Sequence, residues 1–416
     1  MDYQAESLKI HEQHKGKLEI KSKVEVRNIE ELSVAYTPGV AEPCRKIAEN
    51  SEDAYKYTIK ANTIAVVTDG SAVLGLGNIG ALAGLPVMEG KCLLFKQFAN
   101  VDAYPICLAT QDTEEIIQTI KNIAPTFGGI NLEDISAPRC FEIERRLKEE
   151  LPIPVFHDDQ HGTAIVVLAG LINALKITGR SKEDLKVLIN GAGAAGVAIC
   201  KILLNFGVPG SNIVVLDSKG TIHKKRENLN FAKTELAELT NSEGLDTDLE
   251  GAIAARNMFI GLSKPGLLSQ KMVKSMASDP IIFAMANPVP EIMPEEAQAA
   301  GCRVIATGRS DYPNQLNNVL AFPGIMRGAL DARTQISEEM KLRAAEALAS
   351  MVKTPTPEKF IPNPFDKGVA EAVAEAIMNS KFGMGESGES VNKGASLVLQ
   401  MCLTWHIISA TFFSYL

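Results

Sequence analysis

Two pairs of adjacent carboxylates are the residues of this sequence best suited to hold a metal ion. Glu133 and Asp134 follow one short apolar run, and Asp158 and Asp159 follow another. If the two predicted strand ends converge, Glu133, Asp134 and one acid of the second pair form an all-oxygen site that suits Mg²⁺ or Mn²⁺. The alternative is that these acids only cap the helices that follow them.

Histidines flank the second acid pair with the spacing of a zinc protease motif. His157 and His161 are four residues apart, but Asp158 stands where the protease motif has glutamate. The segment also follows a predicted strand instead of lying within a helix. We therefore reject the protease interpretation.

Two further side chains can transfer protons. Lys91 follows Met88–Gly90, which indicates a tight turn that opens a helix over Cys92–Phe98. A lysine whose pKa is lowered by desolvation can act as a general base. Tyr36 lies in Ala35–Val40, where a Pro-Gly pair predicts a loop. Each has an ordinary alternative, because most lysines are solvated and many tyrosines beside turns only pack.

The stretch Val187–Gly196 has the pattern of a dinucleotide-binding turn. Its apolar start predicts a buried strand, and Ala194–Phe206 predicts a helix whose first N–H groups favour a phosphate. The glycines fit G-x-G-x-x-G, and a second apolar run ends on an acid placed to bind ribose hydroxyls. The residues expected at the cofactor are Gly191, Ala192, Gly193, Ala194, Ala195, Gly196 and Asp217.

The sequence leaves NAD and NADP open. Asp217 would repel a 2′-phosphate and favours NAD, whereas Lys219 or the basic run His223–Arg226 favours NADP. Side-chain amides also follow later strands, at Asn287 and in Asn314–Asn318. Such amides can bind a carboxylate or the nicotinamide amide, although an asparagine often only makes a turn.

The composition is that of an ordinary globular protein. The chain has 416 residues, 46% of them hydrophobic and 22% charged, with a net charge of −8. The negative charge argues against nucleic acid as a partner. Seven dispersed cysteines and a polar N-terminus predict reduced thiols and a cytoplasmic location.

Strands and helices alternate along the chain, which predicts an α/β fold with mostly parallel sheets. We expect two domains, residues 1–160 and 161–381. The predicted strands are Thr63–Thr68, Tyr104–Thr110, a short run before Glu133, Ile153–Phe156, Val187–Ile189, Ile213–Leu216, Met258–Gly261, Ile281–Met285 and Val304–Ala306.

Taken together, the motifs resemble those of a malic enzyme of the short bacterial type. The resemblance runs from about residue 15 to 381 and implies an N-terminal malic-type α/β domain followed by a Rossmann-like NAD(P)-binding domain. Malic enzymes use a divalent metal and NAD(P)⁺ to convert malate into pyruvate and CO₂. The segments that carry the resemblance are Ala35–Val40, Val67–Gly80, Glu89–Lys91, Asn131–Ile135, Phe156–Ala164, Gly191–Gly196, Asp217–Gly220, Ala286–Pro290 and Asn317–Gly324.

The resemblance also implies a role for each candidate residue. Tyr36 matches the family's general acid, and Lys91 matches its general base and contacts the substrate. Asn287 would contact cofactor and substrate, and Asn317 the substrate, with Asn318 as a further candidate. The ligands of Mg²⁺ or Mn²⁺ would be Glu133, Asp134 and Asp159.

Other functions stay open at this point. A malolactic-type enzyme or a metal-free Rossmann dehydrogenase would use many of the same parts, and a non-catalytic dinucleotide sensor is a more distant alternative. The joint presence of Tyr36, Lys91 and the three acids argues against the sensor. We expect small-molecule substrates, a homo-oligomer such as a homodimer, and no membrane partner.

Two features depart from the family pattern. Larger malic enzymes carry a malate-binding arginine in the stretch that corresponds to Asp69–Gly80, which has none here, and Lys96 is the candidate replacement. The second departure is the C-terminus, residues 382–416, where a Gly/Ser/Glu linker precedes 22 uncharged and largely apolar residues. We expect this tail to lie outside the catalytic fold. We rank foreign or poorly ordered sequence first, a docked helix second and a membrane anchor third.

Overall fold

A computed structural model describes residues 2–73 and 75–383, and the predicted tail lies outside the described residues from position 384 onward. Within the described part, the helix Asp158–Thr178 is long and apolar enough to cross a membrane. Two-thirds of it is buried inside the protein, as expected for a core helix of this length. The cysteines of the described part are free thiols.

The chain alternates helices and strands through most of its length. In chain order the elements are α1 Tyr3–His14, α2 Ile29–Ala35, α3 Ala41–Glu49, α4 Ala54–Tyr57, β1 Thr63–Thr68, α5 Ala81–Ala99, β2 Asp102–Cys107, α6 Thr113–Ile123, β3 Gly129–Leu132, α7 Arg139–Glu150, β4 Val155–His157, α8 Asp158–Thr178, β5 Val187–Asn190, α9 Ala194–Phe206, β6 Ile213–Asp217, β7 Gly220–Thr221, α10 Phe231–Leu239, α11 Leu249–Ile253, β8 Met258–Gly261, α12 Gln270–Ser275, β9 Ile281–Ala284, α13 Pro294–Ala299, β10 Val304–Thr307, α14 Phe322–Ala332, α15 Glu338–Ser350 and α16 Val369–Gly383.

Two sheets organise these elements. The first has the order β2-β1-β3-β4 and is parallel throughout. The second has the order β10-β9-β8-β5-β6-β7, in which only the short β7 is antiparallel. The predicted α/β class is therefore confirmed, and the dinucleotide turn lies after the central strand β5, where α/β sheets place their ligands.

The strands are apolar because both faces of each sheet are covered by helices. All six residues of β1 are buried, as are all four of β5, β8, β9 and β10. Helix α8 joins the two sheets, because it begins directly after β4 and packs along α9 of the second unit.

The sequence prediction around Lys91 is wrong in one respect. Met88–Gly90 is not a turn but the middle of α5, which runs for 19 residues despite containing Pro86 and two glycines. Burial of Met88, Cys92 and Phe95 in the core outweighs the low helix propensity of the proline and the two glycines. The strand predicted at Tyr104–Thr110 begins two residues earlier, at Asp102.

Candidate active site and metal centre

The predicted metal ligands are brought together at the carboxyl edge of the first sheet. Glu133 and Asp134 follow β3, and Asp159 lies in the first turn of α8, directly after the neighbouring strand β4. One carboxylate oxygen from each of the three lies within 4.8 Å of the others. The N–H of Asp134 donates to Asp159 Oδ2 at 2.8 Å, which ties the two strand ends together.

Crowding of the acids has an electrostatic consequence. Burial, reinforced by the charges of Asp159 and Glu133, raises the pKa of Asp134 to about 9. Its Oδ2 has no hydrogen-bond partner in the described part of the protein. Asp134 also adopts a left-handed backbone (φ 54°), which is uncommon for a residue with a side chain, although aspartate adopts it more readily than most.

Lys91 reaches the same acids from α5. Its Nζ lies 2.8 Å from Glu133 Oε1 and 2.6 Å from Asp158 Oδ2, and 4.1 Å from the centroid of the Phe322 ring. Burial alone would lower the pKa of this lysine, but the charges of Asp158 and Glu133 outweigh burial and raise it. With both carboxylates ionised and free of other cations, Lys91 is therefore protonated.

The sequence offered Asp158 as an alternative to Asp159 in the acid cluster or as a helix cap, and the structure makes it the anchor of Lys91. Its Oδ2 accepts from Lys91 Nζ and from Asn318 Nδ2. Its Oδ1 lies over Gly162, one helical turn later, where an added Cβ would stand only 1.8 Å away. The sequence signal was present in the acid pair Asp158-Asp159, but only the fold shows which member faces the lysine.

The neighbouring amides Asn317 and Asn318 make different contacts. Asn318 contacts Asp158, whereas the Oδ1 of Asn317 accepts from the N–H of Val319 and caps the short turn that follows. The Asn287 segment lies at the cleft between the two sheets: a Cβ added at Gly75, in the glycine-rich loop of the first, would stand 3.5 Å from the Asn287 carbonyl oxygen. Asn287 lies in the loop after β9, whereas Asn317 precedes the short helical turn Asn318–Leu320 that leads to α14.

A buried polar network braces the first turn of α8 from behind. Glu144 of α7 accepts from Gln160 Nε2 at 3.2 Å and from His161 Nε2 at 2.8 Å. Lys341 of α15 donates to His161 Nδ1 at 3.0 Å. Burial lowers the pKa of His161 to about 4, so the ring is neutral at pH 7. His161 therefore faces a structural network, in agreement with rejection of the zinc protease motif.

Two predicted residues lie away from this centre. Tyr36 is 67% exposed, and its ring makes no described contact with the acids or with Lys91. Lys96 is bound to Asp102 and Asn100 at the amino end of β2, the opposite edge of the sheet, so it is the wrong candidate for a malate-binding cation. Besides Lys91, the structure brings the cation Arg139 to the carboxyl edge, where it donates to buried Asp69 at 2.9 Å.

The glycines of the dinucleotide turn fit their predicted tasks. Gly191 has a φ of 137°, which an L side chain rarely adopts. A Cβ at Gly196 would stand 1.8 Å from the Gly191 carbonyl oxygen, so only glycine lets α9 pack on the strand end. A Cβ at Gly193 would meet nothing within 4 Å, which leaves open space at the start of α9 for a phosphate.

Asp217, at the end of β6, is neutralised by two cations. Arg226 donates to its two oxygens at 2.6 and 2.8 Å, and Lys233 donates at 2.6 Å. Partial burial opposes the charged form, but these cations and the N–H of Lys219 lower the pKa of Asp217. The structure thus shows that Arg226 alone, of the predicted basic run, reaches Asp217; Lys233 was missed because it lies 16 residues away.

The sequence matches two family models, the malic enzyme N-terminal domain over residues 14–148 and the malic enzyme NAD-binding domain over residues 160–381. The chain belongs to the malic enzyme family. It is 59% identical over 389 residues to a bifunctional malic/malolactic enzyme of Bacillus subtilis, covering 92% of this chain and 94% of that protein. It is 47% identical over 388 residues to an NADP-dependent malic enzyme of Halomonas elongata, covering 89% and 91%.

A solved malic enzyme structure has the same fold. The NAD-dependent malic enzyme of Thermotoga maritima is 51% identical and superposes with a TM-score of 0.87 over 89% of this chain and 98% of that one. The resemblance inferred from the motifs is therefore confirmed, and the second sheet lies within the residues that match the NAD-binding domain. Some relatives are named NAD-dependent and others NADP-dependent, so the choice between the two cofactors needs a separate argument.

Proposed function

We propose that this malic enzyme catalyses the oxidative decarboxylation of L-malate to pyruvate and CO₂, with reduction of NAD(P)⁺ and with a divalent metal ion. The observation that carries the proposal is the contact of Lys91 with the acid cluster. A buried lysine, three convergent carboxylates and a glycine-rich dinucleotide turn belong to one chain, and each part matches a requirement of this reaction.

The acid cluster fits a Mg²⁺ or Mn²⁺ ion. Glu133, Asp134 and Asp159 would hold it, because their oxygens converge and are hard ligands. The buried Asp134 Oδ2 has no hydrogen-bond partner in the described part of the protein, so its lone pairs are available to a cation. When bound, the ion would polarise the C2 hydroxyl of malate and stabilise the negative charge that decarboxylation places on that oxygen.

Proton transfers fall to the protein side chains. Lys91 would take the C2 hydroxyl proton while hydride leaves C2 for the nicotinamide ring. The charge of Glu133 helps to keep Lys91 protonated. Lys91 could therefore act as a base only when Glu133 binds another cation, such as the metal ion. After the bond between C3 and the departing carboxylate breaks, C3 needs a proton, and the phenol of Tyr36 would donate it.

Substrate and cofactor contacts follow from the loops at the strand ends. The Asn317 Oδ1 is occupied by its own turn, which leaves its amide N–H groups to donate to a substrate carboxylate. Asn287 would contact cofactor and substrate. The residues that would contact the pyrophosphate are Gly191, Ala192, Gly193, Ala194, Ala195 and Gly196.

Asp217 supports NAD as the better cofactor. A carboxylate at this position accepts hydrogen bonds from ribose hydroxyls and repels a 2′-phosphate. Arg226 and Lys233 reduce that repulsion because both donate to Asp217. We therefore infer a preference for NAD with residual use of NADP.

A second candidate activity is malolactic conversion. It is favoured by the name of the 59% identical relative from Bacillus subtilis. If pyruvate and the reduced cofactor stayed in the site after CO₂ leaves, the hydride would return to C2 and lactate would be released. Product analysis separates the two reactions, because lactate forms without net production of reduced cofactor.

Turnover of L-malate with Mn²⁺ tests the proposal, run in parallel with NAD⁺ and NADP⁺ and with pyruvate, lactate and CO₂ quantified. Asp159→Asn removes one metal-ligand charge and preserves side-chain shape, so it should abolish Mn²⁺-dependent turnover while calorimetry shows nearly unchanged NAD⁺ binding. Undiminished malate turnover by this variant would show that the acid cluster is not the metal site. A wild-type enzyme that produces neither pyruvate nor lactate would refute the proposed function.

A further inference from the structure

Glu291 is a buried carboxylate of the second unit that the proposed chemistry does not use. It lies between β9 and α13 and is 0% exposed. Within residues 2–73 and 75–383 no cation forms an ion pair with it. Burial of a carboxylate without a cation costs free energy unless hydrogen bonds compensate it. The hydrogen bonds of Glu291 therefore indicate what this side chain does.

The two oxygens of Glu291 join the loops that follow two neighbouring strands. Oε1 accepts from the N–H of Ser263, just beyond β8, at 3.0 Å, and Oε2 accepts from the N–H of Ala286, just beyond β9, at 3.1 Å. Burial raises the pKa of Glu291, whereas these N–H groups favour its ionised form. An ionised carboxylate accepts at both oxygens, so one side chain holds both loops.

The surrounding backbone leaves room for this carboxylate. A Cβ added at Gly261, the last residue of β8, would stand 2.3 Å from Glu291 Cδ and 2.6 and 2.7 Å from its two oxygens. The carbonyl oxygen of Glu291 also accepts from the N–H of Leu268 at 3.0 Å. The side chain and the backbone of Glu291 are thus both tied to the chain that follows β8.

A third strand is connected to the same hydrogen bonds. Asn190 ends β5, directly before the dinucleotide turn, and its Nδ2 donates to Ser263 Oγ at 3.0 Å. The three strands are adjacent in the order β9-β8-β5 and run parallel. A continuous set of hydrogen bonds therefore runs along the carboxyl edge of the sheet, from the dinucleotide turn to the loop that holds Asn287.

This part of the edge lies on the side of β5 opposite to Asp217. Asp217, the candidate partner of the adenosine ribose, ends β6, whereas β8 and β9 lie beyond β5 in the other direction. A dinucleotide on such a sheet crosses the central strand. If its adenosine half lies at β6, its nicotinamide half lies at the ends of β8 and β9, where Glu291 holds the loops.

Asn287 directly follows the residue that Glu291 holds. The N–H of Ala286 donates to Glu291, which fixes the backbone immediately before Asn287. On the other side, a Cβ added at Gly308 would stand 2.8 Å from Asn287 Nδ2, so glycine lets this amide lie against the end of β10. The place of the Asn287 amide at the sheet edge therefore depends on Glu291 and on Gly308.

We propose that Glu291 is a positioning residue for the nicotinamide half of the cofactor site, where it holds the loops after β8 and β9 and through them Asn287. The inference rests on the proposed function, because that function assigns Asn287 to the cofactor and the substrate. Since Glu291 is fully buried, it acts through the backbone of Ser263 and Ala286 and touches neither ligand.

Binding of NAD⁺ and of ADP-ribose to Glu291→Gln, measured by calorimetry on the full chain, tests the proposal. ADP-ribose has the adenosine and pyrophosphate of NAD⁺ but no nicotinamide ring. Glutamine keeps the side-chain shape, but its NH₂ group faces an N–H donor, so one loop loses its acceptor. The loss of a hydrogen bond to a charged group should raise the Kd for NAD⁺ at least about tenfold. The Kd for ADP-ribose should stay near the wild-type value.

An unchanged Kd for NAD⁺, or equal weakening of both ligands, would overturn the proposal. Gly261→Ala displaces the carboxylate by direct contact and keeps its charge, so it should give the same selective loss of NAD⁺. This second variant also decides the question if Glu291→Gln does not fold.

Asn257→Ala is the matched control for loss of stability. Asn257 is also buried and ties β8 to the chain before β5, but at the amino edge of the sheet: it accepts from the N–H of Lys186 at 2.8 Å and donates to the Asp184 carbonyl oxygen at 3.2 Å. The variant should melt at a lower temperature and bind both ligands as the wild type does. A selective loss of NAD⁺ in this variant would show that destabilisation alone produces the effect, against the proposal.

The binding readout separates this proposal from the proposed function. It needs neither malate nor Mn²⁺, so a wild-type enzyme that fails to turn over malate would refute the reaction and leave the binding result valid. In an active enzyme, Glu291→Gln should raise the KM for NAD⁺ by about the same factor as the Kd. The affinity for Mn²⁺ should not change, because the acid cluster lies at the first sheet.

Discussion

Gly162→Ala should damage catalysis through Asp158 without touching the metal ligands. The added Cβ would stand 1.8 Å from Asp158 Oδ1 and 3.0 Å from Asn318 Cβ. An ordinary carbon–oxygen contact needs more than 3 Å, so the carboxylate must move by over 1 Å or rotate. Either movement breaks the 2.6 Å contact between Asp158 and Lys91 Nζ.

The size of the effect follows from that displacement. A shift of about 1 Å at a catalytic group costs on the order of 10²-fold in rate. Overpacking of a buried site costs a further ~1–3 kcal/mol of folding stability. We therefore expect kcat for malate to fall about 100-fold, while the Kd for NAD⁺ and the affinity for Mn²⁺ change little.

Steady-state kinetics, calorimetric titration of Mn²⁺ and NAD⁺, and thermal melting measure these quantities. Gly84→Ala is the matched control, because Gly84 is also a buried helical glycine but its added Cβ would meet only contacts of 3.8 Å or more. That variant should keep full activity and melt at or slightly above the wild-type temperature. A folded Gly162→Ala enzyme with kcat within twofold of wild type would refute the role of Asp158 in holding Lys91.

Two other predictions address the cofactor and the C-terminus. Asp217→Ser removes the carboxylate and frees Arg226 and Lys233 for a 2′-phosphate, so the ratio of kcat/KM for NADP⁺ to that for NAD⁺ should rise at least about tenfold, or ~1.4 kcal/mol; an unchanged ratio would show that the phosphate lies elsewhere. Deletion of residues 384–416 should leave malate turnover and melting temperature unchanged, and a loss of either would show that the tail belongs to the fold.

The sequence predicted what depends on local pattern. The apolar runs of β1, β5 and β8 become buried strands, and the acids that follow β3 and β4 meet because adjacent parallel strands end at the same edge. The three glycines after β5 were assigned from spacing alone, and the structure gives a steric reason for Gly191 and Gly196, whereas Gly193 borders open space. These features need only short-range sequence and the general geometry of parallel sheets.

The errors depend on contacts between distant segments. Helix α5 forms through Pro86 and Gly90 because its buried side supplies more free energy than those residues cost. The sequence made Lys96 a candidate for the malate-binding cation. In the structure it forms an ion pair with Asp102 at the amino end of β2, away from the acid cluster. No local pattern shows that Asn318 and not its neighbour Asn317 reaches Asp158, since that choice depends on how the last turn before α14 meets α8.

The contact of Asn318, Asp158 and Lys91 links the two halves of the enzyme chemically. Lys91 comes from α5 of the first unit, whereas Asn318 follows β10 of the second, and both donate to one buried carboxylate. Movement of one unit against the other would therefore change the surroundings of the lysine that is proposed to take the malate proton. Any closure of the cleft between the two units would therefore be coupled to the surroundings of Lys91 through Asp158, because the same oxygen accepts from residues of both units.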